Sequence, residues 1–183
     1  MLSAHALTTI EALKAELGIP ADDSSQDDQL ARYINAASDA MRAYCNRDFA
    51  RAQRTDVLKG PGERALLLRL YPLIEIHRVI VEEQEVDDFV VDKETGILWR
   101  SVGWPKTNVP AITVEYTGGY VTPYQARQDE QLERNLPYDI EEACIVTAAT
   151  WLSQQGTPRD ATVLQVEQIR GHFGGRESGA ASM

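Results

Sequence analysis

The side chains in this sequence that could do acid/base chemistry form one acidic run. It consists of Glu82, Glu83, Glu85, Asp87 and Asp88. A general acid/base pair needs two carboxylates that a pocket holds at separated pKa values. A run of this kind between two strands is more typical of a solvated hairpin end, so we predict no catalytic role for it.

The remaining polar residues lack the spacing of a catalytic or metal site. His5, His77 and His172 lie in three unlike contexts, without the short spacing of metal ligands. The acidic segment 22–28 lacks the alternating ligands, the central glycine and the closing glutamate of a calcium loop. We therefore predict no catalytic, metal-ligating or cofactor-binding residue, no cofactor and no enzymatic activity.

Two tryptophans and two cysteines leave alternatives open. Trp99 and Trp104 could line a sugar-binding site, although packing in the core or against another subunit is the commoner role. Cys45 and Cys144 lie in apolar helical patterns, which favours small buried thiols in a reducing compartment. A disulfide or a redox pair is the alternative.

Length and composition predict one domain, or one domain that carries an insertion. The chain has 183 residues, of which 43% are hydrophobic, enough for a core. No apolar run approaches the ~20 residues that cross a bilayer, so we expect no membrane association. The N-terminus lacks the basic region and the apolar core of a signal peptide, so we do not expect secretion.

The charge of the chain bears on nucleic-acid partners. The formal net charge is −10, which argues against tight binding to phosphates, since such binding is driven by Lys and Arg. An acidic surface is compatible with lining a passage through which DNA slides, where adhesion would be a fault. Most often an acidic balance indicates only solubility.

The strongest helical pattern runs over residues 27–49. Its apolar residues Leu30, Ile34, Ala37 and Met41 recur at steps of three and four. This is the period of one buried helical stripe. A helix of this kind cannot bury its own stripe, so the rest of the chain must pack against it.

Two further helices are predicted from capping signals. Thr8 and Glu11 have the spacing of a capping box, and Gly18 is suited to the C-terminal cap of the same helix. Pro137 suits the first turn of another helix, which ends at Gly156. These helices would supply the packing partners of residues 27–49.

Between the helices the hydrophobic period changes to that of β-strands. Strands are predicted at 54–59, 66–70, 74–83, 89–91, 97–99 and 112–116, with 89–91 and 97–99 forming a hairpin. The alternation slips near His77 and Arg78, which predicts a β-bulge. Gly118 and Gly119 then predict a turn, and the polar segment 121–136 a loop or a weak helix.

The predicted fold is α+β: a small helical bundle with an inserted antiparallel β-rich subdomain and a flexible C-terminal tail. Residues 1–53 and 120–158 would form the helical core, and 54–119 the β-rich insertion. The tail, 159–183, is too rich in Gly, Ala and Ser to pack alone.

Four pieces of the sequence, in this order, resemble the head–tail connector (adaptor) proteins of tailed bacteriophages. They are Asp27-Asp28 through Ile34 and Ala37-Ser38 to Tyr44-Cys45-Asn46-Arg47-Asp48-Phe49; Leu70 with Pro72-Leu73 and Val79; Val114-Glu115-Tyr116-Thr117-Gly118-Gly119-Tyr120; and Leu136-Pro137, Asp139-Ile140 and Ala143-Cys144. Together they cover about residues 7–155. The polar segment 121–136 is longer than the family pattern, and the chain after Arg159 carries no close motif.

The resemblance implies a structural virion protein in the neck of the particle, made in the cytoplasm of the bacterial host. Its subunits would form a ring, commonly of twelve copies, beneath the portal protein, whereas the isolated chain can stay monomeric. The ring would extend the DNA channel, without sequence-specific DNA binding, and receive the next neck or tail protein. Because a ring subunit needs two different, complementary surfaces, the helices would offer one surface and the β insertion another.

The C-terminal tail is the expected portal-binding segment. A segment that cannot pack alone suits ordering on a partner. We predict that residues 160–183 dock on the portal, with Phe173 as the anchor and Arg170 and Arg176 as charge partners.

Other functions remain open from the sequence alone. A neck or tail-completion protein that binds further down the same assembly is the first alternative. A small hydrolase or a sugar-binding module built on the β segment is the second, and it would require a deep pocket with convergent polar groups. A monomeric intracellular interaction domain, unrelated to virions, is the third.

Overall fold

A computed structural model of the protein describes residues 1–154. The chain folds into two compact units. Of the described residues, the helical unit contains 1–44 and 137–154, and the β unit contains Cys45–Leu136. Helices and antiparallel sheets are both present, which confirms the α+β class. Within the described residues, no helix is both long and apolar enough to cross a membrane.

The helices of the described chain are α1 (Ile10–Leu17), α2 (Asp27–Cys45), α3 (Pro123–Gln128) and α4 (Tyr138–Ser153). Helices α1, α2 and α4 build the helical unit, and the short helix α3 belongs to the β unit. Helix α3 falls in the segment for which a loop or a weak helix was predicted. It forms because Thr122 and Gln125 make a capping box, and Pro123 suits its first turn.

Helix α2 buries the stripe that its period predicts. The buried stripe residues are Leu30, Ile34, Ala37 and Met41. Ser38 is also buried, and its hydroxyl is satisfied by hydrogen bonds. Its hydroxyl donates to Ile34 O (2.8 Å), accepts from Leu7 N (3.2 Å) and lies 3.5 Å from Cys144 Sγ. Ser38 therefore connects α2 to the N-terminal segment and to α4.

Helix α1 begins one residue later than the predicted capping box. The N-cap is Thr9, whose side chain accepts a hydrogen bond from Ala12 N. The Thr8 hydroxyl does not cap the helix; it donates to Glu141 Oε1 of helix α4 (3.2 Å). The C-cap prediction is confirmed, since Gly18 adopts the left-handed conformation, with φ of 67°.

The β unit contains seven strands in two antiparallel sheets. The strands are β1 (Ala52–Pro61), β2 (Ala65–Leu67), β3 (Leu73–Val81), β4 (Gln84–Glu85), β5 (Phe89–Asp92), β6 (Ile97–Arg100) and β7 (Lys106–Gly118). One sheet has the order β1-β7-β3-β4 and the other the order β2-β6-β5. The predicted hairpin is β5–β6, and the predicted bulge lies in β3 between Ile76 and Arg78.

Both sheets turn one face toward a common core. Leu66 and Leu98 enter this core from the three-stranded sheet, and Val79, Ile112 and Val114 enter it from the four-stranded sheet. Because each sheet is packed on one face only by this core, the other faces point away from it on different sides of the β unit.

One strand prediction is wrong in extent. The alternation at Leu66, Leu68 and Leu70 predicted a strand over 66–70, whereas β2 ends at Leu67. All three leucines are buried, but the last two donate their backbone N–H groups elsewhere. Leu68 N donates to Gly96 O, and Leu70 N donates to the Tyr116 hydroxyl.

The division into units falls at Tyr44 and Leu136, whereas the sequence placed 1–53 and 120–158 in one helical core and 54–119 in the insertion. Residues 45–53 and 120–136 belong to the β unit because their backbones bond to it. Tyr120 N donates to Phe49 O and Arg51 N donates to Tyr120 O, both at 2.7 Å.

Candidate subunit-interaction surfaces

The outer face of the three-stranded sheet is apolar. Because Leu66, Leu98 and Val91 face inward, the alternate positions of the three strands face outward. These outward residues, which we call the three-stranded face, are Ala65, Leu67, Val90, Asp92, Ile97 and Trp99. The pairing places Trp99 between Ala65 and Val90 in one row, and Ile97 between Leu67 and Asp92 in the next.

The three-stranded face is open to solvent in the described chain. Leu67 is 61% exposed, Val90 is 70% exposed and Trp99 is 47% exposed. Cross-strand neighbours on one face lie ~5 Å apart, so these side chains form a continuous patch. An antiparallel sheet that faces water is normally polar on that side, and an exposed contiguous apolar patch marks an interaction site.

The outer face of the four-stranded sheet contains a polar zone. One row consists of Thr55, Glu115 and Arg78. In the next row Thr117 Oγ1 lies 2.8 Å from His77 Nε2. This zone has the composition of an ordinary solvated sheet. His77, one of the three histidines of the sequence, takes part in it as an exposed hydrogen-bonding side chain.

A second apolar patch lies where β1 forms the edge of the four-stranded sheet. Val57 is 60% exposed and lies opposite Thr113. The register places Lys59 opposite Pro110, so Val57, Lys59 and Pro110 share one face, and all three are exposed. We call Val57, Lys59 and Pro110 the β1 patch.

Each apolar surface carries one charge without an ion-pair partner within residues 1–154. On the three-stranded face this charge is Asp92, and in the β1 patch it is Lys59. Hydrogen bonds from Thr95 hold the pKa of Asp92 below its usual value of 3.8. Asp92 is therefore ionised at neutral pH.

The acidic run forms a turn and its flank, as the sequence predicted. Glu82 and Glu83 adopt positive φ values of 48° and 70° between β3 and β4. Arg78 Nε donates to Glu85 Oε2 at 3.1 Å, and a second ion pair joins Arg100 Nε to Asp88 Oδ1 at 2.8 Å. All five acidic residues of the run are partly or largely exposed to solvent.

The two tryptophans have different environments. Trp104 is buried, donates its indole N–H to Leu98 O (3.2 Å) and lies tilted against Phe89. Trp99 lies on the exposed three-stranded face. Core packing therefore applies to Trp104. A subunit contact at the exposed Trp99 stays a prediction.

A buried polar network, which the sequence did not predict, fixes the start of the β unit. Arg54 pairs with Asp48 and, through Nε, with Asp56 Oδ1 at 2.6 Å. Asp56 Oδ2 accepts the Tyr116 hydroxyl at 2.8 Å, and that hydroxyl accepts Leu70 N. Burial, together with the bond to Asp56, raises the pKa of Tyr116, so its hydroxyl remains a donor.

Arg47 anchors the segment that follows helix α2. Its guanidinium Cζ lies 3.5 Å from the centroid of the Tyr71 ring and 4.8 Å from that of Phe49, and it donates to Tyr71 O. Asn46 has a positive φ of 48°, typical of a residue that ends a helix. The residues 46–49, part of the resemblance described above, thus have a packing role.

The two cysteines are free thiols. Cys144 is fully buried in the helical unit, and burial raises its pKa to about 11. Cys45 is only partly buried, and desolvation raises its pKa as well. Among residues 1–154, no group of three or more His, Cys, Asp or Glu side chains could hold a metal ion.

The sequence-predicted portal-binding residues, Arg170, Phe173 and Arg176, lie outside the described residues. Their role therefore stays a prediction.

Comparison with known proteins decides the family. The family model described as "Head completion protein" matches residues 6–163. The chain belongs to the head completion protein family. This confirms the recognition of a phage connector protein, and with it a structural role at the head–tail neck of a phage-like particle. No curated protein matches this head completion protein.

Two solved structures share the fold of this head completion protein. One is titled "Neck of empty GTA particle computed with C6 symmetry", with a TM-score of 0.61, 15% identity, and coverage of 92% of this chain and 91% of that chain. The other is titled "Neck of native GTA particle computed with C12 symmetry", with a TM-score of 0.56, 16% identity, and coverage of 92% and 90%. Both similarities extend over nearly the whole chain.

Proposed function

We propose that this head completion protein is one subunit of a neck ring, commonly of twelve copies, that docks beneath the portal protein. The ring extends the DNA channel and receives the next neck or tail protein. The observation that carries the proposal is the presence of two unlike apolar surfaces on the β unit, the three-stranded face and the β1 patch. A subunit of a closed ring needs two different, complementary surfaces, one for each neighbour. Such head-to-tail contacts close into a ring when the rotation between successive subunits adds up to a full turn.

The similar structures support the ring. Both are structures of a particle neck, one computed with C6 and the other with C12 symmetry. The isolated chain is proposed to remain monomeric until the portal templates the ring, so the size of the free protein does not test the proposal.

The DNA channel is proposed to run through the ring without holding DNA. A net charge of −10 gives the phosphates little cationic surface to bind. We expect the purified protein to pass through a DNA–cellulose column at physiological salt. Retention on that column would contradict an acidic inner wall.

Portal docking is assigned to residues 160–183, with Phe173 as the anchor and Arg170 and Arg176 as charge partners. A chain truncated after Gly156 should fold and fail to attach to portal-bearing heads. Within the full chain, Phe173→Ala should weaken attachment, whereas the matched variant Ser178→Ala should not. Normal attachment of the folded truncated chain would overturn the assignment.

The role is proposed to be structural, without catalysis, and the protein is proposed to be made in the cytoplasm of a bacterial host. Electron microscopy of a neck complex that contains this chain tests the ring directly. We expect a closed ring between the portal and the next neck protein. A neck in which this chain occupies a different level would instead favour a tail-completion protein, and particles that lack the chain would then retain DNA but lack tails.

A further inference from the structure

Both apolar surfaces of the β unit are of the kind that another protein surface covers. In residues 1–154 the three-stranded face and the β1 patch are exposed, with Val90 at 70% and Val57 at 60%. The two surfaces share no residue and belong to different sheets, so one molecule can offer both at once. This arrangement fits a heterologous contact between copies, in which each surface meets the other and not itself.

The charges of the two surfaces are complementary. Asp92 is part of the three-stranded face, in the row that contains Leu67 and Ile97. Lys59 lies two residues from Val57 on β1. Neither side chain has an ion-pair partner within residues 1–154, so each charge is available to the opposite surface of a second copy. Complementary charges fix the register of a contact and disfavour the self-pairing of either surface.

The polarity of the outer residues indicates which parts of the two sheets form the contact between copies. The row Thr55, Glu115 and Arg78 is polar, whereas Val57 and Trp99 occupy apolar zones. An aromatic side chain at the centre of an apolar patch, with charges at its edge, is the usual anatomy of a stable interface.

We infer that neighbouring subunits of the neck ring associate through the β units, with the three-stranded face of one copy packed on the β1 patch of the next. Trp99 and Val90 of one copy cover Val57 and Pro110 of its neighbour, and Asp92 pairs with Lys59. This inference rests on the proposed ring, and it adds which surfaces form the contact. It assigns both surfaces to the β unit, whereas the sequence analysis expected the helices to offer one of them.

Cysteine cross-linking tests the contact in assembled necks. Val57→Cys and Val90→Cys place thiols at exposed positions, with Cys45→Ser in every variant and the buried Cys144 retained. Oxidation of necks that carry both substitutions should give a ladder of covalent multimers in steps of 20.4 kDa. An equal mixture of the two single variants should give products no larger than dimers.

Each single variant and one matched pair serve as controls. Val90→Cys alone and Val57→Cys alone should give no covalent dimer, and Gln53→Cys combined with Val90→Cys should give no ladder. A dimer from either single variant would indicate a twofold contact of that surface with itself. The absence of a ladder, with oxidation and also with a bis-maleimide spacer, would indicate that another protein covers the three-stranded face. Either result overturns the inference.

A charge exchange gives a second test. Lys59→Asp should lower incorporation into necks by about tenfold, because it places like charges opposite each other. Asp92→Lys should do the same, and the double variant should recover most of the loss. Two additive losses would contradict the pairing.

Electron microscopy of the same particles separates this inference from the proposed function. Closed rings of the chain without the expected cross-links would reject the contact and leave the ring intact. Particles in which the chain forms no ring would reject the proposed function itself.

Discussion

The two outer faces of the β unit differ although both belong to antiparallel sheets over one core. The four-stranded sheet exposes a polar row at Thr55, Glu115 and Arg78, whereas the three-stranded sheet exposes Leu67 and Trp99. Apolar residues exposed on one face and polar residues on the other cannot both be adaptations to water. The inner faces of both sheets serve folding, and we propose that assembly uses the three-stranded face together with the β1 patch at the edge of the four-stranded sheet.

The largest expected effect compares the two sides of strand β6. Leu98→Ala should lower the free energy of unfolding by about 2–5 kcal/mol, because it leaves a cavity in the shared core. Trp99→Ala should lower it by less than about 1 kcal/mol, because Trp99 is half exposed. Urea denaturation measures both values. Equal losses would mean that Trp99 contributes to folding and would remove the distinction between the faces.

The second prediction places the same charge on each outer face. Leu67→Lys should lower incorporation into necks by about a hundredfold, about 2.7 kcal/mol, since the contact would bury an unpaired charge. Thr55→Lys should leave incorporation within about twofold, because Thr55 lies opposite Glu115 in the polar zone. Both variants should unfold within about 0.5 kcal/mol of the parent. Quantitative blotting of purified particles measures incorporation, and similar losses for the two variants would refute the comparison.

A third prediction concerns the inner face of the four-stranded sheet. Tyr116→Phe removes the hydroxyl that donates to Asp56 and accepts from Leu70 N. The loss should lower the free energy of unfolding by about 1–3 kcal/mol, because two buried polar groups lose a partner. Tyr124→Phe, the same change at a tyrosine of helix α3 outside this network, serves as the matched control. Neck incorporation at low temperature should stay normal, and a loss of incorporation without a loss of stability would assign Tyr116 to the contact.

The smallest expected effect is that of pH on the Asp92 contribution. Hydrogen bonds with Thr95 lower the pKa of Asp92 below 3.8. The contribution of its charge to the subunit contact is therefore complete above pH 3.8. It is lost only as the pH falls through the lowered pKa. Asp92→Asn should therefore weaken incorporation by the same modest factor at pH 5.5 and at pH 8. The ratio of parent to variant protein in particles assembled at the two pH values measures this. A ratio that changes between these pH values would mean that another titrating group controls the contact.

Several elements were predictable because their signals are local. The stripe of helix α2, the hairpin β5–β6 and the bulge before Arg78 follow from the hydrophobic period. Other features depend on distant partners. Thr9 caps helix α1, whereas the Thr8 hydroxyl bonds Glu141. Strand β2 ends at Leu67, and Leu70 N bonds the Tyr116 hydroxyl of the other sheet.

The candidate surfaces were less predictable than the fold. The sequence left core and subunit-contact packing open for Trp99 and Trp104, and the structure separates the two residues. It gave no signal for the packing of Arg47 on Tyr71 or for the Arg54 network, because an arginine between polar residues is usually solvated. Tyr71 lies 24 positions from Arg47, and Tyr116 lies 60 positions from Asp56, the partner of Arg54.

The sequence by itself determined the α+β class, the principal helix and strand periods, and the resemblance that led to the head completion family, because each of these is carried by residues near one another in the chain or by motifs read in order. Only the tertiary structure decided which side of strand β6 is inside. Ile97, Leu98 and Trp99 are all apolar, so their alternation does not show which face of the strand is exposed to solvent. Packing against β7 and β3 buries Leu98, and it leaves Trp99 exposed on the face that we propose for assembly.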